Sequence, residues 1–269
     1  MIHFAVPLVL LAALAHAQDS RPASRPAPPA PRPAVPAAPD PESDPKAVAL
    51  AARVLEAMGG QAGLDQLHCL RWTFMGTRTH VWDRQNGRHR VDIKGQGGKT
   101  TVILRDLKAG TCRAFVNGEE IGDEAELADH KANAEGMFVN DTYWFLFPAK
   151  LLDPGVVLTL EADQKVDDQD CQVLRVRFKN VGLTPTNQYQ AFVDKKTARV
   201  VRWTWYRTKE AAGVTWDWGP YERVGPVWLA SKHKAVGHKR DVDISELQVF
   251  AQAKDEWFAP PGGPAEGRK

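Results

Sequence analysis

From Leu70 onward, apolar residues recur at every second position over much of the chain. Leu70, Trp72 and Phe74 face one way, and Arg71, Thr73 and Met75 face the other, as a half-buried strand requires. Residues 79–84 and 88–93 flank Gln85-Asn86-Gly87. Asn-Gly between alternating runs predicts a tight hairpin. Residues 99–105 and 112–116 extend the meander to Asn117-Gly118. Residues 156–161, 171–179, 189–194, 199–206 and 214–218 read as further strands. The last two, 227–235 and 241–249, are expected to pair antiparallel through residues 236–240. Short strands with hairpin turns and no alternating helices predict a mainly β (α+β) fold built on an antiparallel sheet that curls.

Two stretches depart from the period of two. Over residues 46–58, Val48, Ala51, Ala52, Leu55 and Met58 lie near helical spacing, and Gly59-Gly60 ends the run. Residues 64–67 add a short turn. Residues 119–131 are acidic and helical in pattern, and a largely helical insertion is expected over 123–152. Within it, Tyr143, Trp144, Phe145, Leu146 and Phe147 form an unbroken apolar run before Pro148. Asn140-Asp141-Thr142 is expected to cap the start of that run. The run has no polar face, so it is expected to cover the mouth of an apolar cavity rather than serve as a strand. Trp144 and Phe147, three apart, share the face assigned to the cavity, and Lys150 continues that row to the rim.

The tryptophans extend this picture. Trp203 and Trp205 lie two apart, as do Trp216 and Trp218, so each pair shares one face of its strand. With Trp72, Phe74, Trp228 and Tyr143, they either pave a cavity for a hydrophobic ligand or form a core under the helices.

The ends of the chain have a different character. Residues 1–17 read as a signal peptide, with an apolar core at 5–14 and the cleavage pattern Ala15-His16-Ala17. That core is too short to span a membrane. Residues 18–45 form a Pro/Ala-rich linker, expected to be disordered and extended. Residues 46–261 suit one domain, and 262–269 are an expected disordered tail. An exported protein, periplasmic or secreted, is the reading.

Net charge is +2, with acids and bases balanced, which gives no electrostatic footprint for nucleic acid. Cys69, Cys112 and Cys171 permit one disulfide and a spare thiol, or three buried thiols. No nucleophile elbow, phosphate loop, dinucleotide fingerprint or zinc-protease motif occurs, so no enzyme and no cofactor is predicted. His80, Asp83, His89 and Asp92 gather across the first hairpin either as surface polar pairs or as a metal site, the former being the commoner outcome. Arg175, Arg177 and Lys179 alternate along one strand as an outward polar face or as a basic rim.

Three segments together carry a family resemblance. They are Leu55-Glu56-Ala57-Met58-Gly59-Gly60, the strand Leu70-Arg71-Trp72-Thr73-Phe74, and the pattern D-x-Y-W-x-x-x-P-x-K-L-x-D-P-G from Asp141 to Gly155. The chain resembles an uncharacterised bacterial exported family related to the LolA/LolB-like outer-membrane lipoprotein-sorting superfamily. The resemblance implies an unclosed β-barrel closed over by an N-terminal helix and the mid-chain insertion, with an apolar cavity between. It implies a lipid or acylated ligand and peripheral contact with a membrane or a lipoprotein; a monomer is expected. The rival reading is a structural or interaction module of the cell envelope whose half-barrel is filled by its own aromatic side chains.

Overall fold

The computed structural model describes residues 40–262. The expected signal peptide, most of the linker and the last seven residues of the chain lie outside them. Helix α1 (Pro45–Met58) starts where Asp44 accepts from the Lys46 N–H, with Pro45 in the first turn, where its missing N–H costs no helical bond. Ala47, Leu50, Ala51, Val54 and Met58 form its buried stripe. Gly59 ends it at φ 120°, and a Cβ there would lie 2.8 Å from the Pro226 carbonyl. A short α2 (Gly60–Asp65) follows.

The chain then builds a meander of β1 (Cys69–Phe74), β2 (Arg78–Asp83), β3 (Arg88–Lys94), β4 (Thr100–Asp106), β5 (Thr111–Val116) and the two-residue β6 (Glu119–Glu120). Helix α3 (Glu124–Leu146) runs on into a 3-10 turn (Phe147–Lys150). A second meander contains β7 (Val156–Val166), β8 (Gln169–Phe178), β9 (Gln188–Asp194), β10 (Val200–Tyr206) and β11 (Val214–Trp218). The hairpin β12 (Tyr221–Val224) and β13 (Val227–Ala230) leads to β14 (Lys232–Val236) and β15 (Val242–Phe250).

Thirteen strands form one antiparallel sheet, in the order β6-β5-β4-β3-β2-β1-β15-β14-β11-β10-β9-β8-β7. The sheet does not close into a barrel. β15 joins the two meanders, and β6 and β7 are its free edges. Helix α3 leaves from one edge strand and returns the chain to the other. Twenty-three residues of helix, about 35 Å at 1.5 Å per residue, bridge that distance.

Two sequence expectations are corrected. α3 is a single helix capped by Asp123, whose side chain accepts from the Glu126 N–H. Asn140-Asp141-Thr142 lies in its interior and caps nothing. Thr142 Oγ1 instead donates to the Phe138 carbonyl at 2.6 Å. The expected strand over 227–235 divides at Ser231. Its first half pairs with β12, and only Lys232 and His233 of its second half pair with β15, opposite Asp243 and Val242. Both halves bury alternate residues, so the pattern carried no mark of the break.

The helix-covered face holds two main apolar clusters. One contains Ala47, Leu50, Phe147, Trp203, Trp216 and Trp218, and the other Met58, Leu70, Trp72, Phe145 and Leu229. The opposite face carries polar pairs: Arg202 with Asp217 at 2.6 Å, Arg175 with Glu161 at 2.8 Å, and the hydroxyls of Thr204 and Thr215 at 2.9 Å. Lys179, just past the end of β8, binds Asp40 and Glu42 at 3.0 and 2.7 Å.

Candidate functional site

The last turn of α3, from Tyr143 to Leu146, enters the trough of the sheet with apolar side chains on all sides. Residues 124–133 of the helix are largely exposed, whereas Asp141, Thr142, Phe145 and Leu146 are buried. Trp144 sits where the two clusters meet. Its ring lies 4.8 Å from Trp203, 5.1 Å from Trp216 and 5.2 Å from the His233 imidazole. Phe147 lies 5.0 Å from Trp203 and 5.8 Å from Trp218. Tyr143 meets Phe147 and Tyr189, and Tyr189 stacks on Trp203 at 4.9 Å. Phe145 turns to the other cluster, edge-on to Trp72 at 5.3 Å. The segment thus fills the space between helix and sheet; it does not roof an open one.

The strand register explains the shared face. Trp203 stands opposite Trp216 and Ala191, and Trp205 opposite Tyr189 and Val214. Trp218 stands opposite His233. Directly opposed residues share a face, so all the paired tryptophans point into the trough. Trp205 is only partly buried, at the margin of the cluster. Trp72 and Phe74 lie in the second cluster, with Phe138, Phe145 and Leu146 of the same half of α3. Trp228 does not join them. Its neighbours Val227 and Leu229 are buried on one face of β13, so Trp228 points to the other, under the Arg199 guanidinium at 4.5 Å. Lys150 is 39% exposed and lies 3.4 Å from Asp153 within its own turn.

A buried polar cluster fixes the helix, and the sequence reading missed it as a unit. Arg78 donates through Nε to Asp141 Oδ2 at 2.7 Å and through Nη2 to Oδ1 at 2.9 Å. His80 Nε2 lies 2.9 Å from the same Oδ2, and His80 Nδ1 lies 3.0 Å from His89 Nε2. Asp141 is fully buried. Burial alone would raise its pKa, but the hydrogen bonds and charges of His80 and Arg78 outweigh that and hold it below the usual carboxylate range. Asp141 therefore accepts, which assigns the His80 proton to Nε2 and makes His80 Nδ1 the acceptor for His89 Nε2–H. His89 Nδ1 is then left buried without a partner. Burial, helped by neighbouring His80 and Arg105, pushes the His89 pKa well down, so it stays neutral. The His80 ring also stacks on Trp72 at 4.6 Å and 4°.

Asp83 and Asp92 stay out of this cluster. Asp83 binds Arg88 and Asn86, and Asp92 binds Arg90. No group of three or more His, Cys, Asp or Glu side chains is placed to hold a metal ion among the described residues. A signal for the real partner existed. Arg78 and His80 are inward positions on a strand facing an apolar segment, and Asp141 is the one acid between residues 136 and 152.

Further polar atoms inside the trough lack partners. The indole N–H groups of Trp72 and Trp203 are buried and make no hydrogen bond. His233 lies against the Trp144 carbonyl, without regular hydrogen-bond geometry at either ring nitrogen. That carbonyl is the one a helical N–H at position 148 would have taken, and Pro148 has none. Burial lowers the His233 pKa to about 3. Cys69 and Cys171 are buried and Cys112 is half-buried, and all three are free thiols.

No protein-family model and no curated protein matches the chain. Solved structures similar to it include a DUF1329 family protein from Desulfovibrio piger, at TM-score 0.44 and 15% identity over 81% of this chain and 98% of that one. A LolA superfamily protein from Nitrosomonas europaea aligns at TM-score 0.41 and 11% identity, over 78% and 97% of the two chains. A putative outer membrane lipoprotein-sorting protein domain from Vibrio parahaemolyticus aligns at TM-score 0.37 and 10% identity, over 79% and 96%. The structural neighbours are thus a DUF1329 family protein, a LolA superfamily protein and a putative lipoprotein-sorting protein domain. No helix among the described residues is long and apolar enough to cross a membrane.

Proposed function

We propose that this domain binds an acyl chain or another elongated apolar ligand between the sheet and α3, in a trough that residues 143–147 occupy when no ligand is bound. The ligand takes the place of Trp144 and Phe147 against Trp203, Trp216 and Trp218. Binding gains roughly 0.8 kcal/mol per CH₂ buried, so a long chain offsets the loss of the helix contacts. On this reading the protein is exported, acts as a monomeric, non-enzymatic carrier in the cell envelope, and meets a membrane or a lipoprotein when it loads or unloads. Lys150 stands at the rim.

One observation carries the reading. The filled trough buries the Trp72 and Trp203 indole N–H groups and His89 Nδ1 unpartnered. Each such group costs about 1–3 kcal/mol. A core evolved only to hold the fold would be expected to satisfy them. The close aromatic packing of Trp144 and Phe147 favours a second reading, a structural or interaction module whose half-barrel is permanently filled by its own side chains.

Native mass spectrometry of protein purified from cells, followed by lipid extraction, separates the two. A co-purifying lipid at one per protein supports the carrier. Ligand-free protein that also takes up no added oleate supports the structural module.

A further inference from the structure

Upstream of the tryptophans, α3 covers a pair of polar side chains that no bond in the fold completes. His89 on β3 and Arg105 on β4 stand directly opposite each other, so they share a face, with Cβ atoms about 5 Å apart. That face lies under the helix, because Phe138 of α3 packs on the His89 ring at 4.6 Å.

Each of the two leaves one polar atom unbonded. His89 is fully buried, and with Nε2–H given to His80 its Nδ1 is an acceptor without a donor. Arg105 is half-buried, and its enclosed Nη1 is a donor without an acceptor. Glu135 of α3 acts on the guanidinium only as a through-space charge. A buried acceptor beside a buried cationic donor is the complement of a carboxyl group, whose C=O accepts from Arg105 while its O–H donates to His89. A carboxylate without a proton would instead turn a lone pair towards the lone pair of Nδ1.

We infer that His89 and Arg105 bind the carboxyl head of an aliphatic monocarboxylic acid. The inference rests on the trough reading for the acid's chain. Phe138, on His89, and Trp144, on Trp203, are six residues apart in α3. Six residues of helix span about 9 Å, so head site and trough lie within reach of one acyl chain. An acid that is ionised in water takes up a proton as it binds. The proton stays on the acid or moves to Nδ1, from which His89 and His80 form a hydrogen-bonded line to the Asp141 carboxylate. The other titratable or charged groups near this line are Arg78 on β2, Arg105 on β4, Cys112 on β5 and Glu135 on α3.

The test is calorimetry on the full chain at pH 7.5 with two probes of equal chain length, decanoate and methyl decanoate. Titrations in phosphate and in Tris separate the heat of binding from that of the proton the buffer gives up. Decanoate is expected to take up about one proton per molecule bound, and methyl decanoate none. Arg105→Met, at a half-buried position, is expected to weaken decanoate roughly tenfold and methyl decanoate far less. Should that variant fail to fold, proton uptake by the native protein decides. Decanoate that binds without proton uptake, or equal losses of both probes in Arg105→Met, would overturn the inference and leave the trough reading standing. Failure of both probes to bind would overturn the two together.

Discussion

Asp141 in the second half of α3 and Arg78 on β2 form a two-pronged ion pair, at 2.7 and 2.9 Å, with the carboxylate fully buried. The pair ties a helix whose remaining contacts in the trough are apolar to one fixed rotation and depth. Removing one partner leaves a buried charge, so Asp141→Ala or Arg78→Met is expected to lower stability by about 3–5 kcal/mol. Replacing both, as Arg78→Met/Asp141→Leu, is expected to cost clearly less than the sum of the single changes. Urea unfolding of the four proteins measures this, and strict additivity would show that the pair does not couple helix to sheet.

Trp203 and Trp228 give a contrast that depends on facing alone. Trp203 is 3% exposed and touches Tyr143, Trp144, Phe147, Tyr189 and Trp218. Trp203→Ala is expected to cost about 3–5 kcal/mol. Trp228 meets Arg199 outside the clusters, and Trp228→Ala is expected to cost under about 1 kcal/mol. Equal losses in thermal or chemical melts would contradict the assignment of faces.

The period of two read the sheet well, because one-sided burial writes itself into alternate residues. It placed Trp203, Trp205, Trp216 and Trp218 on one side, where the register puts them. It failed at Trp228, because strand pattern alone does not say which face of a ribbon meets the core. It also failed at Asp141. An Asp between Asn and Thr before an apolar run has the local features of a helix cap, and only the tertiary position of Arg78 and His80 gives it another task. The tryptophans were expected either to pave a cavity or to form a core; aromatic side chains pack the trough, and sequence pattern does not distinguish a lined cavity from a packed one.

Acid is expected to destabilise the fold well above the pH at which carboxylates protonate. Burial lowers the pKa of His80, His89 and His233, the last to about 3. The unfolded chain binds these protons at a higher pH than the folded protein does, so stability falls as pH drops from about 6.5. The slope reaches up to about 1.4 kcal/mol per pH unit for each histidine. Melts of the native protein and of His233→Leu between pH 7 and pH 4 check this. The variant should lose part of the slope, and an unchanged slope would place the acid sensitivity elsewhere.

The thiols should differ in reactivity. Burial raises the Cys69 pKa to about 11 and also raises Cys171, and both side chains are enclosed. Cys112 is raised too, but it is part-exposed on β5. Brief labelling of folded protein at neutral pH should add one label, at Cys112, with the other two reacting only on unfolding. Early labelling of Cys69 or Cys171, read by peptide mass mapping, would contradict the closed packing around them.

The central claim is that residues 143–147 occupy the place of an apolar ligand. Hydrogen exchange of the full protein with and without saturating oleate tests it most directly. The account predicts faster exchange for the amides of Trp144, Phe145, Leu146 and Phe147 when oleate is bound, with β10 and β11 still protected. Oleate that binds without altering exchange in this segment, or that fails to bind at all, would contradict it.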